Sequence, residues 1–172
     1  AALALLTSTA TNSWLHMLDA LKATIVTEAW DPALKSNMTL SHAWASAPAN
    51  AVARHILGVQ VTEPGAAGFR IRPRTGSLTE VDGTVPSLRG PVSVQVQRSG
   101  DTHTTRVTLP PNSSAVLEVE IGDAAPKAYR VKAVTPRGEG SAKVESFTDL
   151  TGTVLRIGPL GSGTTEVRRK TS

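Results

Sequence analysis

Cysteine is absent from the 172 residues, which excludes disulfides and thiolate-held metal sites at once. Aromatics are almost as scarce: three tryptophans, two phenylalanines and one tyrosine. No apolar run approaches the roughly 18 residues that a helix needs to cross a bilayer, so no membrane partner is expected. The net charge is +4, but the basic residues gather on no single element and no aromatics alternate with them. That pattern argues against a nucleic-acid partner. The run Arg168–Arg169–Lys170 reads as a solvated tail. A Gly-rich phosphate loop, a Ser or Cys nucleophile motif with partners, and histidines at metal-ligand spacing are also missing. Neither a metal nor a cofactor is expected.

What is present is unevenly spread. Trp14, Trp30 and Trp44 all lie in the first quarter, and the pattern around them is helical. In "SWLHMLDALKA", Ser13 is a plausible N-cap, and Trp14, Leu15, Leu18 and Leu21 recur at helical spacing. "APANAVARHILG" reads as another helix. Pro48 suits its first turn, Ala51, Val52, His55 and Ile56 share a packing face, and Gly58 stops it. "AALALL" is apolar throughout and needs a partner surface. With no basic stretch before it and no break after it, "AALALLTSTA" is expected to be the interior of a longer protein or the start of a processed chain.

Near Gly58 the period falls to two. "GPVSVQVQRSG" sets Val92, Val94 and Val96 against Ser93, Gln95 and Gln97. "SAVLEVEIG" sets Ala115, Leu117, Val119 and Ile121 against Glu118 and Glu120. "FRIRPRTGSL", "TTRVTLPPNSS", "AYRVKAV" and "TVLRIGPL" add short strands, with "PRGEG" as a turn and His103 in another. Such spacing predicts an antiparallel sandwich.

The stretch "TEAWDPALKSNMTLSHAW", Thr27 to Trp44, belongs to neither pattern. Pro32 and the polar "KSN" make it a long loop. A carboxylate beside indoles, Glu28 near Trp30, suits a general base whose partial desolvation moves its pKa toward working pH. Spacing alone favours the other reading, a surface Glu near a helix end. Asp31–Pro32 marks a turn. His42 fits a sugar hydroxyl or a structural hydrogen bond. Spacing alone leaves the function open.

The phrases "SWLHML", "TIVTEAWDP", "NMTLSHAWASAPA", "RHILGVQVTEPGAAGFRIRPRTGSL" and "VDGTVPSLRGPVSVQ", in that order, closely resemble the C-terminal part of bacterial α-L-rhamnosidases, inverting glycoside hydrolases. The resemblance covers roughly residues 1–120. It implies an α+β chain: residues 1–57 as the last helices and catalytic loop of an (α/α)6 barrel, 58–122 as an antiparallel β-sandwich, and 123–172 as a β-rich extension, either a separate small sheet or part of the sandwich. It also implies roles, with Glu28 in "TIVTEAW" as general base, His42 in "SHAW" on the sugar, and Trp30 and Trp44 as pocket walls. Thr27 stands where the family often has Trp.

Inversion needs an acid and a base about 6.5–9.5 Å apart, with water between base and sugar. The family's acid lies in an upstream segment with no counterpart here, and Asp19 and Asp31 have the wrong context. The resemblance therefore implies a rhamnose-containing glycoside as substrate and a larger N-terminal segment or chain as partner. Alone, the chain is expected to be inactive. A non-catalytic carbohydrate-binding or structural β-domain is the alternative, weakened by the few aromatics of the β part.

Overall fold

The computed structural model describes residues 2–122, 124–136 and 138–169. The chain divides into two compact units, Ala1–Val52 and Ala53–Ser172.

The first unit holds three short helices, α1 (Ala2–Thr7), α2 (Trp14–Asp19) and α3 (Ala47–Ala51), joined by irregular backbone. The N-cap of α2 is Ser13, whose Oγ accepts from the His16 amide at 3.2 Å and donates to the carbonyl of Ser8. This satisfies an amide that the helix cannot. The helix ends a turn sooner than its sequence suggests. Lys22 takes a left-handed φ of 52° and the Ala23 amide returns to the Met17 carbonyl at 2.9 Å. As a result Met17 is buried, while Leu18 of the expected stripe is exposed. Pro48 lies in the first turn of α3, as its missing donor favours. A π-helical turn, Val52–Ile56, follows and breaks the 3.6-residue stripe. His55, expected to pack, is exposed there. Five- and six-residue helices do not make the expected last hairpins of a barrel. Residues 20–42 carry no helix at all.

The second unit is a β-sandwich of eleven strands. They are β1 (Val59–Val61), β2 (Gly68–Ile71), β3 (Glu80–Val85), β4 (Val92–Ser99), β5 (Thr102–Leu109), β6 (Ser114–Gly122), β7 (Tyr129–Thr135), β8 (Gly138–Gly140), β9 (Lys143–Asp149), β10 (Gly152–Leu160) and β11 (Gly163–Arg169). One sheet has the order β1-β2-β6-β10-β9, the other β3-β4-β5-β11-β7-β8. Both sheets contain strands from before and after Gly122, the early ones side by side and joined to the late ones at β6–β10 and β5–β11. Alternation places Val92, Val94 and Val96 with Leu117, Val119 and Ile157 in one apolar core, each fully buried side chain contributing about 1.5–3 kcal/mol.

Five expectations change. The sheets are not wholly antiparallel, because β2 pairs with β6 in parallel, Phe69 opposite Ala115. Arg168 and Arg169 lie in β11, hydrogen-bonded to β5 and β7 on its two sides; the apolar and β-branched alternation of Thr165 and Val167 carries the strand through them. Lys170 lies outside the described residues. His103 sits within β5, and Gly138–Gly140 of the expected turn pairs with β7, with Arg137 outside the described residues. Finally, Glu118 is 1% exposed despite its place on the polar face.

That burial has a cause. Glu118 Oε2 accepts from Nε and Nη2 of Arg70 at 3.1 and 2.7 Å, and Oε1 from Nε and Nη2 of Arg156 at 3.1 and 2.9 Å. The two guanidiniums occupy both carboxylate oxygens, while the arginine side chains stay partly in water. Burial pushes the Glu118 carboxyl up, but the two guanidiniums outweigh it and hold it below the ordinary value. Beside it, Arg72 Nη1 meets Asp149 at 2.7 Å, and Nη2 donates to Thr151 Oγ1 at 2.7 Å and to Glu120 at 3.2 Å.

Gly58 opens the sandwich at φ +74°, and a Cβ built there would lie 1.9 Å from the Arg72 carbonyl oxygen. The Gly58 carbonyl accepts from the Arg72 amide at 2.9 Å, so the backbone cannot retreat without losing that bond. Gly58→Ala should therefore lower stability by at least about 2 kcal/mol, measured by urea denaturation. A change below about 0.5 kcal/mol would show that the close approach is not required.

Candidate active-site loop

Residues 26–45 form a loop pinched at its neck. The Glu28 amide donates to the Thr39 carbonyl at 3.0 Å and the His42 amide to the Val26 carbonyl at 2.9 Å. These two bonds set Glu28 and His42 on neighbouring strands of the neck. Below it, Asp31 Oδ1 accepts from the Ala33 amide at 2.8 Å, the turn that the Asp-Pro step implied. Its other oxygen meets His16 Nε2 at 2.7 Å, which ties the loop to α2.

The Glu28 carboxylate is held at both oxygens. Oε1 is paired with Lys35 Nζ, and Oε2 accepts the Thr39 amide at 2.9 Å. Thr39 Oγ1 stands 3.4 Å from both Oε2 and His42 Nδ1, so one hydroxyl links the carboxylate to the imidazole. Desolvation was expected to raise this carboxyl toward neutrality. Instead, the Lys35 ammonium and then the Thr39 amide hold it at about 2, against an ordinary 4.5, and the small burial does not offset them. Glu28 is ionised across the physiological range.

His42 and Trp44 meet edge to face, with ring centroids 5.5 Å apart, and Trp44 is 89% exposed. An exposed indole at the mouth of a polar site offers a flat apolar face. Trp30 is placed otherwise: it packs edge to face on Trp14 at 4.9 Å, and Trp14 Nε1 donates to the Ala45 carbonyl at 3.0 Å. Thr27 is buried and its hydroxyl donates to the Ala29 carbonyl at 2.7 Å, which shapes the backbone just before and after Glu28. The structure thus joins Glu28, Thr39, His42 and Trp44 in one chain of contacts and sets Trp30 against α2. Sequence reasoning missed Lys35 and Thr39. Both sit in an aperiodic loop, where no spacing rule links residue 28 to 35 or 39. Among the described residues, no group of three His, Asp or Glu side chains could hold a metal ion.

Lys35→Met should let the Glu28 carboxyl rise from about 2 toward its ordinary value without reaching it, because the Thr39 amide remains. A carbon-detected NMR titration of the Glu28 carboxyl reads this directly. A lowered carboxyl pKa stabilises the folded loop above the ordinary carboxylate value and ceases to do so as pH falls toward 2. The variant should therefore lose less stability on acidification than the parent. An unmoved Glu28 titration would remove Lys35 from the account.

The family model of the bacterial α-L-rhamnosidase C-terminal domain matches residues 58–134. The fold is similar to that of Streptomyces avermitilis α-L-rhamnosidase complexed with L-rhamnose, with a TM-score of 0.74 and 22% identity over 96% of this chain and 16% of that one. It is also similar to the α-L-rhamnosidase from Dictyoglumus thermophilum, with a TM-score of 0.68 and 20% identity over 96% of this chain and 18% of the other. For the Aspergillus terreus enzyme the TM-score is 0.64 at 18% identity, over 96% of this chain and 16% of that one. Among curated proteins, none matches the sequence. The chain therefore spans less than a fifth of the length of these solved relatives.

Proposed function

We propose that the chain, whose residues 58–134 match the family model of the bacterial α-L-rhamnosidase C-terminal domain, is the C-terminal portion of a longer glycoside hydrolase. That enzyme removes terminal α-L-rhamnose from glycosides or polysaccharides with inversion at the anomeric carbon. The loop of residues 26–45 abuts its (α/α)6 barrel and supplies one wall of the sugar pocket. Glu28 is the general base, His42 binds a sugar hydroxyl, and Trp44 lines the pocket, with Trp30 supporting it from behind through Trp14. The general acid comes from an upstream segment or a partner chain.

The observation that carries this reading is the linked row Glu28–Thr39–His42, in which Thr39 Oγ1 stands 3.4 Å from both flanking groups. A base must be ionised before it can take a proton, and Glu28 is. It must also be basic enough, and a carboxylate at about 2 is a weak acceptor. Release of Lys35 from Oε1 in the assembled enzyme would leave that oxygen for water and restore its basicity. Thr39 would keep the other oxygen fixed. Water activated there attacks the anomeric carbon while the upstream acid protonates the leaving oxygen.

In the full-length enzyme, Glu28→Gln should lower kcat on an aryl α-L-rhamnoside by about 10²–10⁴-fold with KM changed little, since the amide retains shape and the Thr39 contact. Turnover within a few fold of the parent would overturn the assignment of the base.

A further inference from the structure

The inward faces of four neighbouring strands end in a row that breaks the apolar pattern. On β4, Val92, Val94 and Val96 are buried, and the next inward position is Arg98. On β5 the series Leu109, Val107, Thr105 leads to His103, and on β11 Thr165 and Val167 lead to Arg169. On β7, Tyr129 comes one inward step before Val131. The register sets Arg98 opposite His103 and Arg169 opposite Tyr129. All four side chains line one open cavity of about 340 Å³ at this end of the sandwich.

Two guanidiniums at inward positions need an anion. Among the described residues, neither Arg98 nor Arg169 has a carboxylate within ion-pair distance. Asp101 lines the mouth without pairing to either, and Glu120 Oε1 is occupied by Arg72 and Thr151. Arg98 is oriented by one bond, Nη1 to the Gly76 carbonyl at 3.3 Å. His103 lies edge to face with Tyr129 at 6.3 Å. Burial first, and then the charges of Arg98 and Arg169, depress the His103 imidazole to about 4, so it is neutral in the physiological range. Inward of the cavity lies a void of about 10 Å³ that Arg98 and His103 also line. There Thr75 Oγ1, in a residue 2% exposed, is buried without a hydrogen-bond partner.

We propose that this cavity binds a carboxylate-bearing sugar unit, its carboxylate between Arg98 and Arg169 and its ring against Tyr129. Planar guanidinium forks match a carboxylate, and the neutral His103 and the threonine hydroxyls offer partners for sugar hydroxyls. The volume is that of a small-ligand site and exceeds what a free inorganic anion fills.

The test is isothermal titration of the whole chain with glucuronate, with glucose and inorganic phosphate as comparison probes. Glucuronate should bind with a Kd of about 1 mM or below, and glucose should not. Arg98→Gln and Arg169→Gln should each weaken binding about 10-fold or more, with thermal midpoints recorded to confirm folding. If either variant unfolds, the His103 ring resonances of the parent provide the second readout and should shift saturably with glucuronate. Binding of phosphate alone, equal binding of glucose, unchanged affinity in both folded variants, or unmoved His103 resonances would overturn the proposal.

Discussion

One buried carboxylate holds the sandwich in its particular arrangement. Glu118 is gripped by Arg70 from β2 and Arg156 from β10, so a single side chain on β6 ties together the three middle strands of its sheet. A lone buried carboxylate would cost several kcal/mol, and losing one partner of such a pair typically costs about 3–5 kcal/mol. Here the partners are half in water, Arg70 41% and Arg156 47% exposed, which softens that figure. The specific consequence is register. The parallel pairing of β2 with β6 is the less usual arrangement for so short a strand, and Arg70 meets Glu118 only in this alignment. Arg156 is further fixed by its guanidinium over the Phe147 ring at 4.5 Å, which extends the grip to β9.

The first unit follows a different logic. Its helices are short and its longest stretch is a loop, so hydrogen bonds rather than a large apolar core hold it. Ser13, Asp31, Thr27 and Thr39 each satisfy backbone groups that no helix or sheet would pair. The same bonds place Glu28 and His42 side by side. A loop built this way can present charged groups close together because its backbone is already neutralised internally. The deep depression of Glu28 follows from its pairing with Lys35 and the Thr39 amide. The proposed role as general base would require one of those partners, Lys35, to be exchanged for water.

The sandwich was largely legible in the sequence and the loop was not. Period-two alternation announced β4 and β6, because each has one face on the core and one on solvent or polar partners. β1, β3, β9 and β11 escaped notice, being too short, too polar or interrupted by basic residues, and β8 read as a turn. β11 is stable as a strand because it is paired on both sides, a tertiary fact that local propensity does not carry. Glu118 read as a solvent-face residue since no single strand reveals which arginines will flank it. In the first unit, the Ser13 cap and the Asp-Pro turn were readable from local chemistry, but Lys22 turning left-handed was not. The resemblance singled out Glu28 and His42. Their bridge through Thr39, and the lysine clamp, needed coordinates.

The central claim is that Glu28 activates water and does not itself attack the sugar. The most direct measurement is rapid proton NMR of the sugar first released from an aryl α-L-rhamnoside by the full-length enzyme, read before mutarotation. The account predicts β-L-rhamnose as the first-formed anomer. First release of α-L-rhamnose would mean retention through a covalent intermediate, and would contradict it.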